Sequence, residues 1–350
     1  MNAVPRQRPA PARLALLGTG TVGAAFRRQV GRWDDALALV AVANTRECIA
    51  GRGWRGPVDA AGEDHGARAV RALGSDGVRI VVDATASDDV ARRHAGWLGS
   101  GIHVVTACKL GQGTSLERWR AIAAAAARTG TCYGDSATVG AGLPLLRSLR
   151  DLRAGGERIT AIAGVLSGSL AWLMSRHDGS RPFRAWVEEA AARGYTEPDP
   201  HDDLSGEDVR RKLLILARSA GIDLEYGAVD VAPIDPGAMD ARLREARASG
   251  RRLAYVARLQ CATGGVVARA GLECLEAGDP LENGGGTDNR VAIWCDRYRE
   301  RPLVIQGPGA GADITAAALL DDVLGIARRS RSRASATAYS GTGSRTSPAR

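Results

Sequence analysis

The chain has 350 residues, 45% of them apolar and 25% charged, which is typical of a folded globular protein and enough for two packed domains. The net charge of +8 does not indicate nucleic-acid binding, because the arginines are scattered and aromatic residues for base stacking are few. Six cysteines without CxxC spacing, no N-terminal apolar segment and no run of 18 apolar residues predict a cytoplasmic protein, neither secreted nor embedded in a membrane.

The two ends of the chain differ in composition from the rest. Residues 1–11 are rich in Pro, Arg and Ala, and residues 330–350 are rich in Ser, Arg and Gly. Neither segment carries enough apolar surface to fold by itself, so we expect two disordered tails.

Short β-rich runs alternate with helical stretches over the first 143 residues. The helical stretches are rich in Ala and Arg, notably 88–98 and 116–129. The β-rich runs are 13–17, 37–43, 79–84, 102–107 and 131–134. This alternation, with nearly continuous apolar strands, predicts an α/β fold with a doubly wound parallel sheet of Rossmann type over residues 12–143.

In the glycine-rich segment LALLGTGTVG, Gly18, Gly20 and Gly23 directly follow the first strand. Gly18 permits a tight turn, Gly20 lets the backbone approach a pyrophosphate, and Gly23 allows the helix to pack closely on the strand. A plain tight turn is the alternative, but the position at the first strand of a βαβ pattern favours a dinucleotide. We expect the three glycines, Thr21 and Val22 to contact this cofactor.

The second strand ends in Asn44, Thr45 and Arg46, where a reader of the ribose 2′-hydroxyl would be Asp or Glu. An arginine there could pair with a 2′-phosphate. The sequence therefore favours NADP, with Asn44 and Arg46 in contact with it, over the alternative, NAD. A plain surface arginine is the competing interpretation of Arg46.

The pattern changes after Pro144. Helices are predicted at 182–193 and 206–220, and residues 225–245 are predicted to be loop with a short helix. Three later segments have the composition of strands in a second, mixed sheet: 252–260, 265–271 and 302–306. We therefore predict a second domain of α+β type over residues 144–306.

The stretch GYTEPDPHDDLSGEDVRRK, residues 194–212, holds six carboxylates within twelve positions and ends on a lysine. Such a cluster repels itself unless a cation or water lies among the carboxylates. The spacing does not match an EF-hand, which makes a divalent metal the weaker interpretation. A second alternative is purely local, because Ser205-x-x-Asp208 has the pattern of a capping box and Asp208 with Lys212 is an ordinary i,i+4 pair.

Helical geometry favours a functional site over local capping. At about 100° per residue, Lys212 lies about 40° from Asp208, whereas Arg210, Arg211 and Arg218 lie at about 200° to 300°. The arginines mark the predicted solvent side, so Asp208 and Lys212 are expected on the apolar side. An inward-facing lysine needs a partner or a cleft, and burial can depress its pKa until it exchanges protons with an alcohol oxygen.

The acidic stretch and four further motifs in the same order closely resemble homoserine dehydrogenases. The motifs are TACK at 106–109, ATVGAGLP at 137–144, GVLSGSL at 164–170 and GPGAGADITAAALL at 307–320. With the glycine loop, the resemblance covers residues 13–329. It implies an NAD(P)-dependent oxidoreductase that interconverts L-homoserine and L-aspartate 4-semialdehyde in threonine and methionine biosynthesis.

The resemblance implies roles for residues of the acidic stretch. Glu197 would bind the amino group of the amino-acid substrate, with Gly194 and Tyr195 beside it. Asp203 and Asp208 would orient the substrate and its hydrogen-bond network. The carboxylates would thus hold an ammonium group rather than a metal.

The resemblance further implies two catalytic lysines and a returning C-terminal segment. Lys212 would donate and accept the proton, and Lys109 would transfer a proton or polarise the substrate close to the nicotinamide. Thr85 and Gly311 would contact the cofactor. The chain would return over residues 307–329 to complete the nucleotide-binding domain, leaving 144–306 for catalysis and dimerisation.

The VGAGL loop would bind a monovalent cation, Na⁺ or K⁺, in the pattern of the family. The ligands would be mainly backbone carbonyl oxygens, which suit these ions better than a transition metal. The expected residues are Ser136, Val139, Ala141 and Leu143.

Four features depart from the pattern of the family. Cys108 stands where Asn is usual, Ser136 where Glu is more frequent and Trp172 where Tyr is common, and the region 225–250 is about 20 residues shorter. We also expect neither an aspartate-kinase segment nor a regulatory ligand-binding domain. The resemblance implies a homodimer formed through the sheet of the second domain.

Three alternatives stay open at the level of the sequence. The protein could be a related NADP oxidoreductase that acts on another amino-acid semialdehyde. It could be a nucleotide-binding paralogue that has lost catalysis, for instance through Cys108. A nucleic-acid binder that uses its basic tails is the third, and its affinity would fall steeply with salt.

Overall fold

The computed structural model describes residues 10–51, 64–197 and 199–340, so the outer parts of both expected tails, 1–9 and 341–350, lie outside the described residues. Six strands form a first sheet: β1 (Ala12–Leu17), β2 (Leu37–Ala43), β3 (Cys48–Ala50), β4 (Arg79–Asp83), β5 (His103–Thr106) and β6 (Tyr133–Gly134). Their order is β3-β2-β1-β4-β5-β6, and every neighbouring pair is parallel except β2 with β3. The expected doubly wound parallel sheet is confirmed.

Helices lie on both faces of this sheet, which is why its strands are apolar along nearly their whole length. The helices are α1 (Thr21–Val30), α2 (His65–Arg71), α3 (Asp88–Arg92), α4 (His94–Gly99) and α5 (Leu116–Thr129). Along β1, Leu14 and Leu16 belong to one hydrophobic cluster with Phe26, whereas Ala15 and Leu17 belong to another on the opposite face. This period of two is the geometry of an extended strand.

The second half of the chain mixes helices with antiparallel strands. Its elements are α6 (Leu145–Ala154), β7 (Ile159–Val165), α7 (Gly168–Arg176), α8 (Phe183–Ala192), α9 (Pro200–Leu204), α10 (Glu207–Ser219), β8 (Val229–Val231), α11 (Met239–Ala248), β9 (Arg252–Ala262), β10 (Gly265–Leu275), β11 (Asp288–Cys295) and β12 (Leu303–Pro308). The strands form a second sheet of order β12-β11-β7-β9-β10-β8. All its pairs are antiparallel except β8 with β10, so the expected mixed sheet is confirmed.

Helices α6, α7 and α10 cover one face of the second sheet with the largest hydrophobic cluster of the chain. Helix α10 lies at its centre, since Leu213, Leu214 and Ile215 are fully buried. The opposite face carries a smaller cluster that includes Val165, Val256 and Leu281. The functional helix predicted at 206–220 is therefore a core element held on several sides.

The last helix, α12 (Ala312–Ser340), returns to the first sheet. Leu319 and Val323 join the hydrophobic cluster of β1 and α1, and Gln29 donates a hydrogen bond to the carbonyl of Asp313 at 2.9 Å. We expected the disordered tail to begin at residue 330, but the helix continues to Ser340. Residues 330–340 contain three Ala and two Arg, which have high helix propensity, among four Ser.

Three further details differ from the sequence-based expectation. The helix expected at 88–98 is divided at Arg93 into α3 and α4. Strand β3 has only three residues, too few to produce a hydrophobic period. Strand β11 begins with the polar residues Asp288, Asn289 and Arg290, which hid it from a search for apolar runs.

All six cysteines are free thiols, and Cys108 and Cys295 are buried. None of the six cysteines, which all lie in described parts of the chain, forms a disulfide bond in the structure. Within the described ranges, none of the helices has the length and apolar character needed to cross a membrane.

Candidate active site

The carboxyl ends of β4 and β5 are fixed by one buried carboxylate, Asp83. One oxygen of Asp83 accepts hydrogen bonds from the amide of Thr85 at 2.9 Å and from its hydroxyl at 2.6 Å. The other accepts from the hydroxyl of Thr106 at 3.0 Å and lies 3.0 Å from Nε2 of His94. The hydroxyl of Thr106 in turn accepts from the amide of Cys108 at 2.9 Å. Asp83 thus ties together the turns that follow two neighbouring strands.

Sequence reasoning missed Asp83 and His94. Both are fully buried, and Nδ1 of His94 lies 3.1 Å from the hydroxyl of Tyr133. The available signal was an Asp at the last position of an apolar strand, because buried carboxylates require several donors. The network is structural: it holds the edge of the sheet where parallel strands carry their sites.

The glycine loop after β1 has the geometry that a dinucleotide requires. Gly18 has φ +98°, and a Cβ there would lie 2.6 Å from the carbonyl oxygen of Ala84. A Cβ on Gly23 would lie 2.1 Å from the carbonyl oxygen of Gly18. A Cβ on Gly20 would meet nothing within 4 Å, so open space faces the start of α1. The tight turn at Gly18, the close packing at Gly23 and the open space at Gly20 together leave room for a pyrophosphate at the N-terminus of α1.

The other expected cofactor residues surround this loop. Thr21 and Val22 begin α1, and the methyl group of Thr85 lies 3.2 Å from the Cβ position of Gly18. Asn44 donates to the hydroxyl of Thr19 at 2.9 Å. The side-chain oxygen of Asn44 also accepts from the amide of Arg46 at 2.7 Å. Asn44 therefore shapes the turn and leaves the arginine side chain exposed beside the loop.

Lys109 begins a single 3-10 turn directly after β5. Its Nζ lies 3.2 Å from Oδ1 of Asp208, which belongs to α10. Lys212, one turn further along α10, places its Nζ 2.7 Å from Oδ2 of the same carboxylate. It also donates to the carbonyl of Leu166 at 2.7 Å. One carboxylate therefore joins two ammonium groups from separate parts of the chain.

The two lysines differ in exposure. The side chain of Lys212 is 11% exposed and its ammonium is fixed by two acceptors, whereas the side chain of Lys109 is 34% exposed. Lys212 has the predicted inward orientation, whereas the side chain of Asp208 beside it is 40% exposed. The partner of the inward lysine is the carboxylate one turn before it, together with the end of β7.

Charge keeps this cluster ionised. Burial by itself would raise the pKa of Asp208, but the positive charges of Lys212 and Lys109 outweigh burial and hold that pKa well below its ordinary value. Asp208 in turn raises the pKa of Lys109, since its negative charge outweighs the opposing effect of burial. At neutral pH Asp208 is therefore an anion and Lys109 a cation.

The composition of the chain makes these two positions unusual. Of its 47 Lys and Arg residues, only Lys109 and Lys212 are lysines. Arginine is effectively always charged and cannot exchange a proton at ordinary pH, whereas lysine can. Lysine is thus present at the two positions that share one carboxylate, and arginine supplies positive charge everywhere else.

The loop before α10 is organised by Asp203. One oxygen of Asp203 accepts from the hydroxyl of Ser169 at 2.5 Å, and the other accepts from the amide of Glu197 at 2.8 Å. The side chain of Glu197 is exposed, yet its charge contributes to the raised pKa of Lys109. The structure therefore brings Glu197, Asp203 and the lysine cluster into one region.

Gly194 and Tyr195 lead into this loop. Gly194 has φ +70°, a conformation that favours glycine and turns the chain after α8. The ring of Tyr195 lies 5.3 Å from that of Trp172, centroid to centroid, and Tyr195 is 41% exposed. Both residues border the predicted substrate region, and neither hydrogen-bonds to the lysine cluster in the described part of the chain.

Sequence reasoning also missed Ser167 and Ser169 at the start of α7. Ser167 caps the helix by accepting from the amide of Leu170 at 3.3 Å, and the two serine hydroxyls are 2.8 Å apart. Ser169 links this cap to Asp203. The signal was the S-G-S sequence between a strand and a helix, where small polar residues cap.

Two family models match the chain. The homoserine dehydrogenase model matches residues 144–324, and the model of the homoserine dehydrogenase NAD binding domain matches residues 18–133. A homoserine dehydrogenase from Emericella nidulans is 33% identical over 369 residues, which cover 91% of this chain and 99% of the relative. The chain belongs to the homoserine dehydrogenase family.

Other members and neighbours extend this result. The bifunctional aspartokinase/homoserine dehydrogenase 2 of Escherichia coli is 41% identical over 268 residues, 71% of this chain. The chain spans about a third of the length of that relative (33%). A crystal structure of a Candida auris protein of unknown function has a TM-score of 0.81 at 29% identity, covering 91% of this chain and 99% of the other. The expected family and the nucleotide-binding character of the N-terminal part are confirmed.

Within this homoserine dehydrogenase family member, the capping-box alternative for the start of α10 is not what the structure has, and the expected orientation of Arg218 is wrong. Gly206 with φ +76° is the N-cap of α10, Ser205 accepts from the amide of Glu207 at 3.2 Å, and Asp208 pairs with the lysines. Arg218 does not face solvent but is 3% exposed. The simple helical projection failed there because three backbone carbonyls from outside the helix accept hydrogen bonds from Nη1 and Nη2 of this buried side chain.

The departure at Cys108 places a thiol beside the lysine-bearing turn. Cys108 is 2% exposed, and its Sγ lies 4.0 Å from the carbonyl oxygen of Ser87. Burial, followed by the negative charge of Asp83, raises its pKa to about 12. The thiol is thus neutral and packed against the first turn of α3, not a reactive thiolate.

The loop expected to hold a cation contains one feature that favours carbonyl ligands and one candidate residue, Ser136, that already has a hydrogen-bond partner. Ala141 has φ +51°, the only non-glycine residue with positive φ in the described ranges. This backbone turns sharply between Val139 and Leu143. The hydroxyl and amide of Ser136, however, both donate to Asp322 at 2.9 Å. No cluster of three or more His, Cys, Asp or Glu suited to a metal occurs in the part of the chain that the structure describes.

Gly311 lies at the start of α12 with φ +133°. Its carbonyl oxygen accepts from the amide of Thr315 at 2.9 Å and from its hydroxyl at 2.8 Å. Because α12 packs on α1, this glycine is carried back toward the nucleotide-binding part of the chain.

Proposed function

We propose that the protein interconverts L-homoserine and L-aspartate 4-semialdehyde with NADP, as a step of threonine and methionine biosynthesis. The observation that carries the proposal is the cluster in which Asp208 joins Lys109 and Lys212. A cofactor bound at the glycine loop would supply the hydride, which passes between C4 of the nicotinamide and the carbinol carbon. The protein has to orient the two carbons and exchange one proton with the substrate oxygen.

In this proposal the lysines divide the work. Lys212, fixed by Asp208 and the carbonyl of Leu166, donates the proton to the aldehyde oxygen in reduction and accepts it from the alcohol in oxidation. Lys109, at the end of a parallel strand and more exposed, polarises the same oxygen and would lie beside the nicotinamide of a bound cofactor. Asp208 keeps both ammonium groups aimed at one point.

The acidic loop supplies the substrate site. Glu197 binds the ammonium group of the amino acid, supported by its exposed carboxylate and by the hydrogen bond from its amide to Asp203. Gly194 and Tyr195 form the outer wall. In this proposal the ammonium group of the substrate balances the negative charge of the loop carboxylates. The proposal therefore includes no divalent metal.

Steady-state assays test the substrate class. We expect NADP-dependent oxidation of L-homoserine, followed at 340 nm, to exceed that of the analogue with one more methylene by at least about 10-fold in kcat/KM, since one methylene is worth roughly 10- to 200-fold. Equal or better turnover of the longer analogue would favour another semialdehyde. Binding of NADPH without any turnover would favour a paralogue that has lost catalysis.

We propose NADP rather than NAD as the preferred cofactor. Asn44 is occupied by Thr19 and by the turn itself, so Arg46 is the exposed side chain available to a 2′-phosphate. Arg46→Ala should raise the KM for NADP about 10-fold, as expected for loss of one charged hydrogen bond, and change the KM for NAD less than about 2-fold. Arg28→Ala is the matched control, because that exposed arginine pairs with Asp313 instead. A parallel rise for both cofactors would contradict the assignment.

We propose a monovalent cation, Na⁺ or K⁺, at the carbonyl oxygens of Val139, Ala141 and Leu143, supported by the sharp backbone turn at Ala141. Ser136 contributes an oxygen as well, because a hydroxyl that donates its hydrogen to Asp322 keeps the lone pairs of its oxygen. Comparison of thermal stability in sodium, potassium and tetramethylammonium buffers tests this proposal, which fails if the three give the same melting temperature.

We propose that residues 12–143 with 307–329 form the nucleotide-binding domain and residues 144–306 the catalytic domain, as the separate hydrophobic clusters support. We also propose a homodimer through the second sheet. Its face opposite the helices carries partly exposed Ala161 and Trp294, and Val267 is 63% exposed. Light scattering that gives the mass of one chain would reject the dimer.

A further inference from the structure

Arg218 connects the two parts of the chain that carry the lysines. It lies six residues after Lys212 on α10 and is 3% exposed. Its Nη1 donates to the carbonyl of Gln112, and its Nη2 donates to the carbonyls of Thr114 at 2.8 Å and Leu224 at 2.9 Å. Two of these three acceptors belong to the turn that begins at Lys109.

This turn is closed on itself and lies directly on α10. The carbonyl oxygen of Lys109 accepts from the amides of Gln112 and Gly113, the latter at 2.6 Å. A Cβ on Gly113 would lie 2.7 Å from the carbonyl oxygen of Lys109 and 3.1 Å from Cβ of Arg211. A shift of residues 112–114 relative to α10 would therefore carry Lys109 with it.

A second contact holds the other side of the turn. The side chain of Gln112 is fully buried and donates to Asp135 at 2.8 Å, and Asp135 also pairs with Arg150 at 2.5 Å. Gln112 is thus held through its carbonyl by Arg218 and through its amide by Asp135. Of the residues in this network of contacts, Arg218 is the one that lies on α10, the helix that also carries Asp208 and Lys212.

We infer that Arg218 is a positioning residue that sets the distance between Lys109 and the Asp208–Lys212 pair. The inference rests on the proposed roles of the two lysines. A guanidinium suits this task because it is planar and offers five donors in fixed directions, so that one side chain can bind several carbonyls at once. A buried guanidinium without hydrogen-bond acceptors would cost free energy, so the carbonyl partners of Arg218 are needed for its burial.

The charge of Arg218 is maintained in this position. Burial lowers its pKa to about 10, while the nearby negative charges of Glu225 and Asp223 oppose that shift. Arg218 therefore stays cationic over the neutral range, and its three donations are charge-assisted. Its effect on the lysines is geometric, because it touches neither lysine nor Asp208 in the described part of the chain.

The test compares Arg218→Met with a matched control, Arg153→Met. Arg153 donates to the carbonyl of Ser219 at 3.2 Å, so it contacts the same end of α10 but not the turn of Lys109. We expect Arg218→Met to lower kcat about 10- to 100-fold, as for a displacement of a catalytic group by about 1 Å, with KM for NADPH changed less than about 3-fold. Arg153→Met should keep kcat within about 2-fold.

Selective labelling gives a readout that a merely structural role would not move. Because the chain contains two lysines, protein grown with [ε-¹³C]lysine gives two side-chain resonances, assigned with Lys109→Ala. In Arg218→Met the Lys109 resonance should titrate at lower pH, since Asp208 raises its pKa only while the two stay close. Arg218→Gln, a second replacement that adds no third lysine resonance, should show the same shift and serves as the test variant if Arg218→Met does not fold.

A double mutant distinguishes a positioning role of Arg218 from a purely stabilising role. In the Lys109→Ala background, Arg218→Met should lower kcat by less than about 3-fold further, because the distance it sets no longer matters. Equal losses in both backgrounds, or an unchanged Lys109 titration, would overturn the inference and leave Arg218 a stabilising residue. Near-parental activity of Lys109→Ala itself would instead refute the proposed role of that lysine.

Discussion

Replacement of either lysine by Ala should lower kcat for homoserine oxidation at least about 100-fold, the loss expected for removal of a general acid–base group. Lys212→Ala removes the donor fixed between Asp208 and the carbonyl of Leu166, and Lys109→Ala removes the more exposed partner. The measurement is the initial rate at saturating NADP and homoserine. Circular dichroism melting checks that each variant is folded.

The matched controls are Lys212→Arg and Lys109→Arg. Arginine preserves the positive charge beside Asp208 but cannot release a proton at ordinary pH. Because Lys212 exchanges the proton in the proposal, Lys212→Arg should stay at least about 10-fold below the parent while melting close to it, whereas Lys109→Arg keeps the polarising charge and should lose less activity than Lys109→Ala. A near-parental rate for Lys212→Arg would show that the cluster acts through charge alone.

Asp208→Asn should have the second largest effect, lowering kcat roughly 10- to 100-fold, because both ammonium groups lose the anion that aims them. The pH dependence should change as well. Asp208 raises the pKa of Lys109, so the variant lowers that pKa, and a rate that depends on the cationic, polarising form of Lys109 falls off at lower pH than in the parent. The measurement is kcat/KM for homoserine against pH.

The sign of the stability change follows from the same two groups. The depressed pKa of Asp208 contributes stability above its unfolded pKa, and this is lost as pH falls through the folded value. The raised pKa of Lys109 contributes stability below its unfolded pKa, and this is lost as pH rises through the folded value. These two groups therefore stabilise the parent most between these limits. In Asp208→Asn the melting temperature should depend less on pH.

Asp203→Asn is the control for this experiment. Asp203 binds the hydroxyl of Ser169 and the amide of Glu197 and touches neither lysine in the described residues. It should raise the KM for homoserine without moving the pH profile. A profile that moves equally in both variants would contradict the specific coupling of Asp208 with Lys109.

Much of the fold was predictable because its elements have short-range signals. The strands β1 and β2 and the glycine loop were located from apolar runs and from a spacing whose purpose is steric. Helix α10 and the inward orientation of Lys212 followed from the helical period. Elements without such a signal escaped: β3 is too short, and the first half of β11 is polar.

The sequence by itself determined which chemical groups are available: a glycine loop, two lysines among 47 basic residues, and a run of carboxylates. It also placed Asp208 and Lys212 on one side of a helix, since one turn separates them. Local geometry of this kind needs no knowledge of the rest of the chain.

Only the tertiary structure decided which groups meet. Lys109 is 99 residues before Asp208 in the chain (208 − 109), and only the packing of α10 against the end of β5 brings them to 3.2 Å. The burial of Arg218 was likewise unpredictable, because its partners are backbone carbonyls, which every residue carries and no sequence pattern marks. The identity of a side chain determines its possible chemistry, and long-range packing determines which other groups it contacts.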